Sequence, residues 1–375
     1  MKGEICFHPS SPEIMALQRN VYALILAGGS GTRFWPLSRD RRPKQLLRLF
    51  DDETLIEKAV ARLEGFVPLE NVLILTSASQ VDGVREVLPG LPASHIVAEP
   101  ARRDTAPAIA LAAGWVAARD PEAVMVALPA DQLVRKEEEF RGLLAAASEA
   151  ASLDDVIVTL GIRPDWPCPG YGYIERGDAA DIPGYEAGVT VNEVISFREK
   201  PSPDLAEEFL ARGNFAWNAG IFIWSIPTLI AELERHCPEL AAFIRALRDS
   251  DDFDGLVGEQ FPRLTRISID FALMEKASRV LNIEADIGWD DVGGWLSVAK
   301  YLEKDDAGNA HNGAVVASGS SGNIVFSEGD EAPLVALLGV EDLIVVRTAD
   351  AILVAHRDEA DRIKALVGEL PPELT

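Results

Sequence analysis

The sequence predicts an α/β protein with a mostly parallel mixed sheet, followed by a small, mostly β appendage. Apolar runs recur at 21–29, 71–77, 123–131 and 155–161, most of them closed by Gly or Asp, as in strands covered on both faces. Stretches with helical spacing lie between them, and strand–helix–strand alternation builds parallel sheets. After about residue 300 the register changes: short strands follow one another across Gly, Ser and Asp turns with no helix between them.

VYALILAGG (21–29) reads as the first strand, running straight into a glycine loop. Residues 54–66 read as a helix in which Leu55, Ala59 and Leu63 share a face, with Thr54 as N-cap and Glu57 at the capping-box position. NVLILTS (71–77) is the second strand. Residues 105–118 are nearly all small and apolar, which predicts a buried helix. AVMVALPAD (123–131) and DVIVTLG (155–161) are further strands. Residues 312–329 and 335–357 carry the late strands, and 358–370 reads as a closing helix. The expected division is an N-terminal extension over 1–20, an α/β domain over 21–304 and the β appendage over 305–375.

Hydrophobic content of 48% supplies a core of ordinary size, and 375 residues suit two or three domains. The net charge of −25 repels phosphodiester backbones and anionic bilayers, so neither nucleic acid nor a membrane is an expected partner. Cys6, Cys168 and Cys237 are an odd set without paired spacing, which points to a reducing cytoplasm. The N-terminus carries an acid and prolines where a signal peptide needs its apolar stretch. The longest uncharged run, 215–231, is interrupted by Asn218, Ser225 and Pro227. A soluble, cytoplasmic protein is expected.

Chemistry concentrates in LAGGSGTRFWPLSRDRRPKQLL (26–47). Gly28, Gly29 and Gly31 follow a strand, so backbone N–H groups can approach phosphate oxygens unobstructed. No Gly-Lys-Ser/Thr follows, which excludes a Walker A loop, and the glycine spacing and Pro36 and Pro43 oppose a dinucleotide fingerprint. Arg33, Arg39, Arg41, Arg42, Lys44 and Arg48 face one acid, Asp40, a local +5 in a chain of −25. A surface turn with solvated arginines is the alternative; the coincidence of strand, glycines and charge favours a site for a small polyanion.

The stretch GGSGTRFWPLSRDRRPKQ (28–45) resembles the signature loop of the sugar-1-phosphate nucleotidyltransferases, in the guanylyl-transferring branch that acts on mannose 1-phosphate. The resemblance places the pyrophosphate-binding arginine at Arg33 and the lysine on the transferred phosphate at Lys44. EPARRDTAPAIALAA (99–113) is similar to the base-recognition segment, with Asp104 where Asn is usual. A carboxylate can accept both N1–H and N2–H of guanine, and Asp104 or Thr105 is equally a good helix N-cap. LPAD (128–131) ends a strand with Asp131, the metal carboxylate by resemblance; a turn-forming Asp is the alternative. GWDDVGGW (288–295) puts the second metal carboxylate at Asp291, with Asp290 in the variable place and able to substitute for it.

GYGYIE (170–175), FREKP (197–201) and FAWNAGIFIW (215–224) look like the sugar-phosphate side. Gly172 and Asn218 would line the sugar pocket, Glu199 bind hydroxyls and Lys200 the sugar phosphate. For Glu199 and Lys200 an exposed ion pair is the plain alternative. SIDFALMEKA (268–277) also matches the family, and its apolar residues read as helix core without chemistry.

By resemblance, then, the nucleotide set is Leu26, Ala27, Gly28, Gly29, Gly31, Thr32, Arg33, Lys44, Asp104, Thr105 and Asp131. The implied substrates are GTP and mannose 1-phosphate, the cofactor is Mg²⁺, and the assembly is a homodimer. The C-terminal region would be a short β-helix-like element. Some bacterial relatives carry a further cupin-type isomerase domain; with the chain ending at Thr375, a monofunctional enzyme is expected.

Overall fold

The computed structural model describes residues 19–29, 31–329 and 332–374. All but the last two residues of the expected extension over 1–20, and Cys6 with them, lie outside the described residues.

The main sheet has nine strands in the order β3-β2-β1-β4-β8-β5-β9-β7-β6. They are β1 (Val21–Ala27), β2 (Val72–Ser77), β3 (Ile96–Glu99), β4 (Val124–Pro129), β5 (Ile157–Ile162), β6 (Tyr173–Ala179), β7 (Asn192–Arg198), β8 (Phe215–Ser225) and β9 (Val280–Ala285). Seven run one way, and only β7 and β8 run against them. The uninterrupted apolar runs of β1, β2 and β4 follow from burial on both faces. Helix α1 (Leu55–Ala61) starts with the expected capping box, Thr54 and Glu57 bonding reciprocally, and ends five residues earlier than its apolar spacing suggests. Helix α2 (Val81–Val87) follows β2. Helix α3 (Thr105–Ala117) is sheathed by the sheet and by helices Ile226–His236 and Pro238–Arg248, so its composition of small apolar residues matches its near-total burial.

β8 is the strand that shapes the functional end. Its C-terminal half pairs with β4, and its N-terminal half pairs on the same side with β6. β4 stops at Pro129 and β6 starts at Tyr173, so a wedge opens between them opposite Asn218–Gly220. The carboxyl ends of β1 and β4, where chain connections diverge to opposite sides, border that wedge. This is where ligands enter open α/β sheets.

The C-terminal unit begins with β10 (Glu303–Lys304), which pairs with β11 (Ala310–His311). Strands β11, β13 (Ile324–Ser327) and β15 (Leu343–Arg347) stack in parallel, as do β12 (Val315–Ser318) and β14 (Val335–Leu338). The register Val315↔Val335 and Ile324↔Ile344 gives a coil of 335 − 315 = 344 − 324 = 20 residues. Buried asparagines hold the coils together: Asn309 Oδ1 accepts from the Asn323 backbone N–H and from Asn323 Nδ2, and Asn323 Nδ2 in turn donates to the Val340 backbone carbonyl. Antiparallel β16 (Ile352–His356) closes one edge. The expected closing helix is a 3-10 turn, Arg357–Arg362, running into a short α-helix, Ile363–Val367.

This unit seats directly on the glycine-loop segment. Phe34, Trp35, Leu37, Leu47 and Leu49 share one core with Trp295, Ile324, Phe326, Ile344 and Ile363. Trp295 is the hinge pin, edge-on to Phe34 at 5.4 Å and tilted on Phe326 at 5.1 Å. Trp295→Ala is expected to cost about 3–5 kcal/mol, whereas Leu338→Ala, at a 79% exposed position, should stay within about 0.5 kcal/mol. Denaturant unfolding of both variants checks this.

Candidate active site

The site is built from strand ends upward. β1 runs into Gly28 and Gly29, and the loop is stitched to β4 by the Ala130 N–H donating to the Leu26 carbonyl at 3.0 Å. Gly31 has φ 60°, and a Cβ there would fall 2.3 Å from the Lys44 Cβ. The glycine is therefore what lets the lysine pass beneath the loop. Lys44, on a 3-10 turn after Pro43, is buried. Its Nζ donates to Asp131 Oδ2 at 3.0 Å and to the Asp291 carbonyl at 2.6 Å. Gln45 fixes the same turn by donating to the Ala27 carbonyl.

The two loops that carry Asp131 and Asp291 are joined to each other. Leu133 and Asp290 form a two-bond antiparallel bridge at 2.9 and 3.0 Å. Gln132 adds a buried rivet: its amide donates to the Ala219 carbonyl at 2.7 Å and accepts from the Trp289 indole at 2.9 Å. Beneath it, buried Arg62 donates to the Gln132 carbonyl. Three sequence-distant segments thus hold one geometry.

The adjacent acids of GWDDVGGW separate cleanly. Asp290 is turned inward and saturated, accepting from Val292 N–H, the Ser297 hydroxyl, Lys300 and the Tyr301 hydroxyl. It has no capacity to replace its neighbour, contrary to the sequence expectation. Asp291 lines the cavity; burial, with Asp131 and Asp290 nearby, pushes its carboxyl above the usual range, against the pull of Lys44 and Arg33. Among the described residues no cluster of three or more His, Cys, Asp or Glu could hold a metal. Two carboxylates with mutual repulsion do fit a hard divalent cation that takes its other ligands from phosphate and water.

The cavity has a volume of about 920 Å³. Gly28, Ser77, Ser79, Glu99, Arg102 and Asp104 line it, and Asp104 also lines an adjoining pocket with Glu199, Lys200 and Asp270. Asp104, at φ 71°, caps α3 by accepting from the Thr105 N–H at 2.8 Å, so its helix-capping role is realised while it still lines the cavity. Glu99, not singled out from sequence although it opens the quoted motif, is pushed up to about 7, first by burial and then by Asp104.

Gly172, Glu199, Lys200, Asn218 and Asp270 also line the cavity. A Cβ on Gly172 would sit 2.5 Å from Glu199 Oε2, so the glycine lets the carboxylate lie where it does, and a side chain there would make it shift. Glu199 and Lys200 form the ion pair named as the plain alternative, at 3.0 Å, with Lys200 exposed and at φ 46°. Asn218 donates from Nδ2 to Asp270 Oδ1 at 3.1 Å and accepts at Oδ1 from the Gly220 N–H at 3.0 Å. Asp270 corrects the reading of SIDFALMEKA as core alone. Ala272, Leu273 and Met274 are buried, but Asp270 opens a π-helical turn into the cavity, with the Glu275 N–H donating to its carbonyl. Burial and Glu199 push its carboxyl up to about 6. An acid heading an apolar helical run was the available signal.

The basic cluster does not act as one patch. Arg39 pairs with Asp350 and Arg42 with Glu328, both on the C-terminal unit, and Arg48 donates to the Asp52 carbonyl. Of the six, Arg33 lines the cavity and Lys44 reaches Asp131; Arg33 is exposed, 3.9 Å from Asp361. Of the nucleotide set, Ala27, Gly31, Thr32, Lys44 and Asp131 are off the cavity wall, Lys44 and Asp131 lying behind Asp291, which is on it. The Ala27 carbonyl is taken by Gln45 and Thr76.

Residues 22–307 match the Nucleotidyl transferase family, and residues 313–370 match the MannoseP isomerase/GMP-like beta-helix domain. The chain is 38% identical to the mannose-1-phosphate guanylyltransferase ManC of Salmonella typhimurium, covering 94% of this chain and 74% of that protein. It is 36% identical to the alginate biosynthesis protein AlgA of Pseudomonas aeruginosa, covering 92% and 71%. The crystal structure of mannose-1-phosphate geranyltransferase from Thermus thermophilus superposes with a TM-score of 0.83 at 34% identity, covering 93% of this chain and 99% of that one. Fold, domain pair and relatives agree: the chain is a nucleotidyltransferase enzyme, a member of the nucleotidyl transferase family in the group of the mannose-1-phosphate guanylyltransferases.

Proposed function

We propose that this enzyme transfers GMP from GTP to mannose 1-phosphate, giving GDP-mannose and pyrophosphate. The observation that carries the reading is buried Lys44 held between Asp131 and the backbone of Asp291, whose residue lines the cavity together with Arg33. The names borne by the relatives supply the sugar and the base.

In the reaction an oxygen of the sugar phosphate forms a bond to the α-phosphorus, and the bond from that phosphorus to the β-bridging oxygen breaks in line. The attacking phosphate monoester is already largely dianionic, its second pKa being about 6, so no general base is needed. Lys44 stabilises the charge that grows on the transferred phosphoryl group, and Arg33 meets the departing pyrophosphate. Asp131 and Asp291 would hold Mg²⁺, which when bound neutralises phosphate charge and fixes the two reactants in one frame. Lys200 meets the sugar phosphate, and Glu199 and Asn218 the sugar. Glu99 and Asp104 face the base, where a carboxylate accepts the two N–H groups of the guanine edge.

Pyrophosphate release with mannose 1-phosphate and Mg²⁺ should be fast with GTP and slow with ATP, UTP, CTP and dTTP. Release with another nucleotide would overturn the base assignment, and silence with all of them the function. Glu99 is protonated below about pH 7, and only its ionised form accepts both guanine donors. The KM for GTP should therefore rise as pH falls from 8 to 6, and Glu99→Gln should flatten that profile.

A further inference from the structure

We propose that Asp270 is a sugar-recognition residue: with Glu199 it forms a paired-carboxylate wall that selects a ligand presenting adjacent hydroxyl donors. The inference rests on the proposed transfer to a sugar 1-phosphate and names the part of the site that reads the sugar.

Four facts converge. Asp270 lines the cavity beside Gly172, Glu199 and Asn218. Its side chain accepts from Asn218 Nδ2, which reaches Oδ1, and from its own backbone N–H. The Asn218 amide is locked on both sides, donating to Asp270 and accepting from Gly220, so its orientation is fixed. One N–H and one lone pair of that amide remain. Glu199 uses Oε1 on Lys200 and leaves Oε2 over Gly172.

The two carboxylates thus present free acceptors, while the cations of the same lining, Lys200 and Arg266, are suited to a phosphate. The acceptors suit hydroxyl groups, each of which can donate to a carboxylate oxygen while accepting the spare amide N–H. A site of this kind rejects an analogue that lacks one hydroxyl, because a buried acceptor is then left unpaired. Asp270 heads a π-turn, an irregularity that recurs at functional sites, and that turn aims its side chain away from the apolar face formed by Ala272, Leu273 and Met274.

The test is a cycle of enzyme and substrate changes. Wild type and Asp270→Asn are assayed with mannose 1-phosphate and with its 2-, 3-, 4- and 6-deoxy analogues, and the KM for GTP and the melting temperature are recorded alongside. Expected is a rise of at least ten-fold in the KM for mannose 1-phosphate, with the KM for GTP within about two-fold. At one hydroxyl the penalty for its removal should be large in wild type and largely absent in the variant, the mark of a direct contact. A penalty that is the same in both enzymes at every hydroxyl overturns the proposal. If Asp270→Asn fails to fold, the smaller Asp270→Ser is read by the same criterion. Wild type without activity on mannose 1-phosphate would instead sink the parent reading, so the two failures are distinguishable.

Discussion

The structure turns on where one ammonium group is held. Lys44 is buried, and its charge is met by the carboxylate of one strand-end loop and the backbone carbonyl of another. Leaving a buried charge without such partners costs several kcal/mol, so the loops are constrained to stay where the lysine needs them. Everything nearby serves that geometry. Gly31 gives the lysine room, the Leu133–Asp290 bridge fixes the two acidic loops to each other, and Gln132 ties both to β8. A preorganised cation of this kind can stabilise charge that develops on a bound phosphate.

The C-terminal unit belongs to the same constraint. Its core is continuous with Phe34, Trp35, Leu47 and Leu49, and its acids take up Arg39 and Arg42. The aromatic and basic residues of the glycine-loop segment are therefore divided between two tasks. Arg33 lines the cavity and Lys44 meets Asp131, whereas Phe34, Trp35, Arg39 and Arg42 hold the unit that backs the loop. The Trp35 indole N–H, which donates to the Leu374 carbonyl at 2.8 Å, shows how far along the chain that anchoring reaches.

Much of this was legible in the sequence because strands, caps and glycine loops are local. The capping box at Thr54, the burial of α3, the strands that lead into Gly28 and Asp131 and the short strands after residue 310 follow from short-range pattern, whereas the coiling of those last strands was expected only from family resemblance. What was not legible depends on long-range partners. A run of six basic residues looks like one patch until Asp350 and Glu328, some 300 residues away, fold onto two of them. Asp290 and Asp291 are indistinguishable in sequence, and only the contacts from Ser297, Lys300 and Tyr301 turn one inward. Glu99 and Asp270 stood within quoted motifs, but their burial and neighbours give them their chemistry.

The division between those adjacent acids tests the account most directly, by thermal melting and pyrophosphate release of Asp290→Asn and Asp291→Asn. Asp291→Asn should melt at or above the wild-type temperature, since it removes a charge that burial, and then Asp131 and Asp290, disfavour, and should lose turnover by about 10²-fold or more. Asp290→Asn should lose about 1.5–3 kcal/mol with its charged hydrogen bonds, while its folded fraction keeps turnover within about ten-fold. The opposite pattern, or equal effects from both, would contradict the assignment of Asp291 to chemistry and Asp290 to architecture.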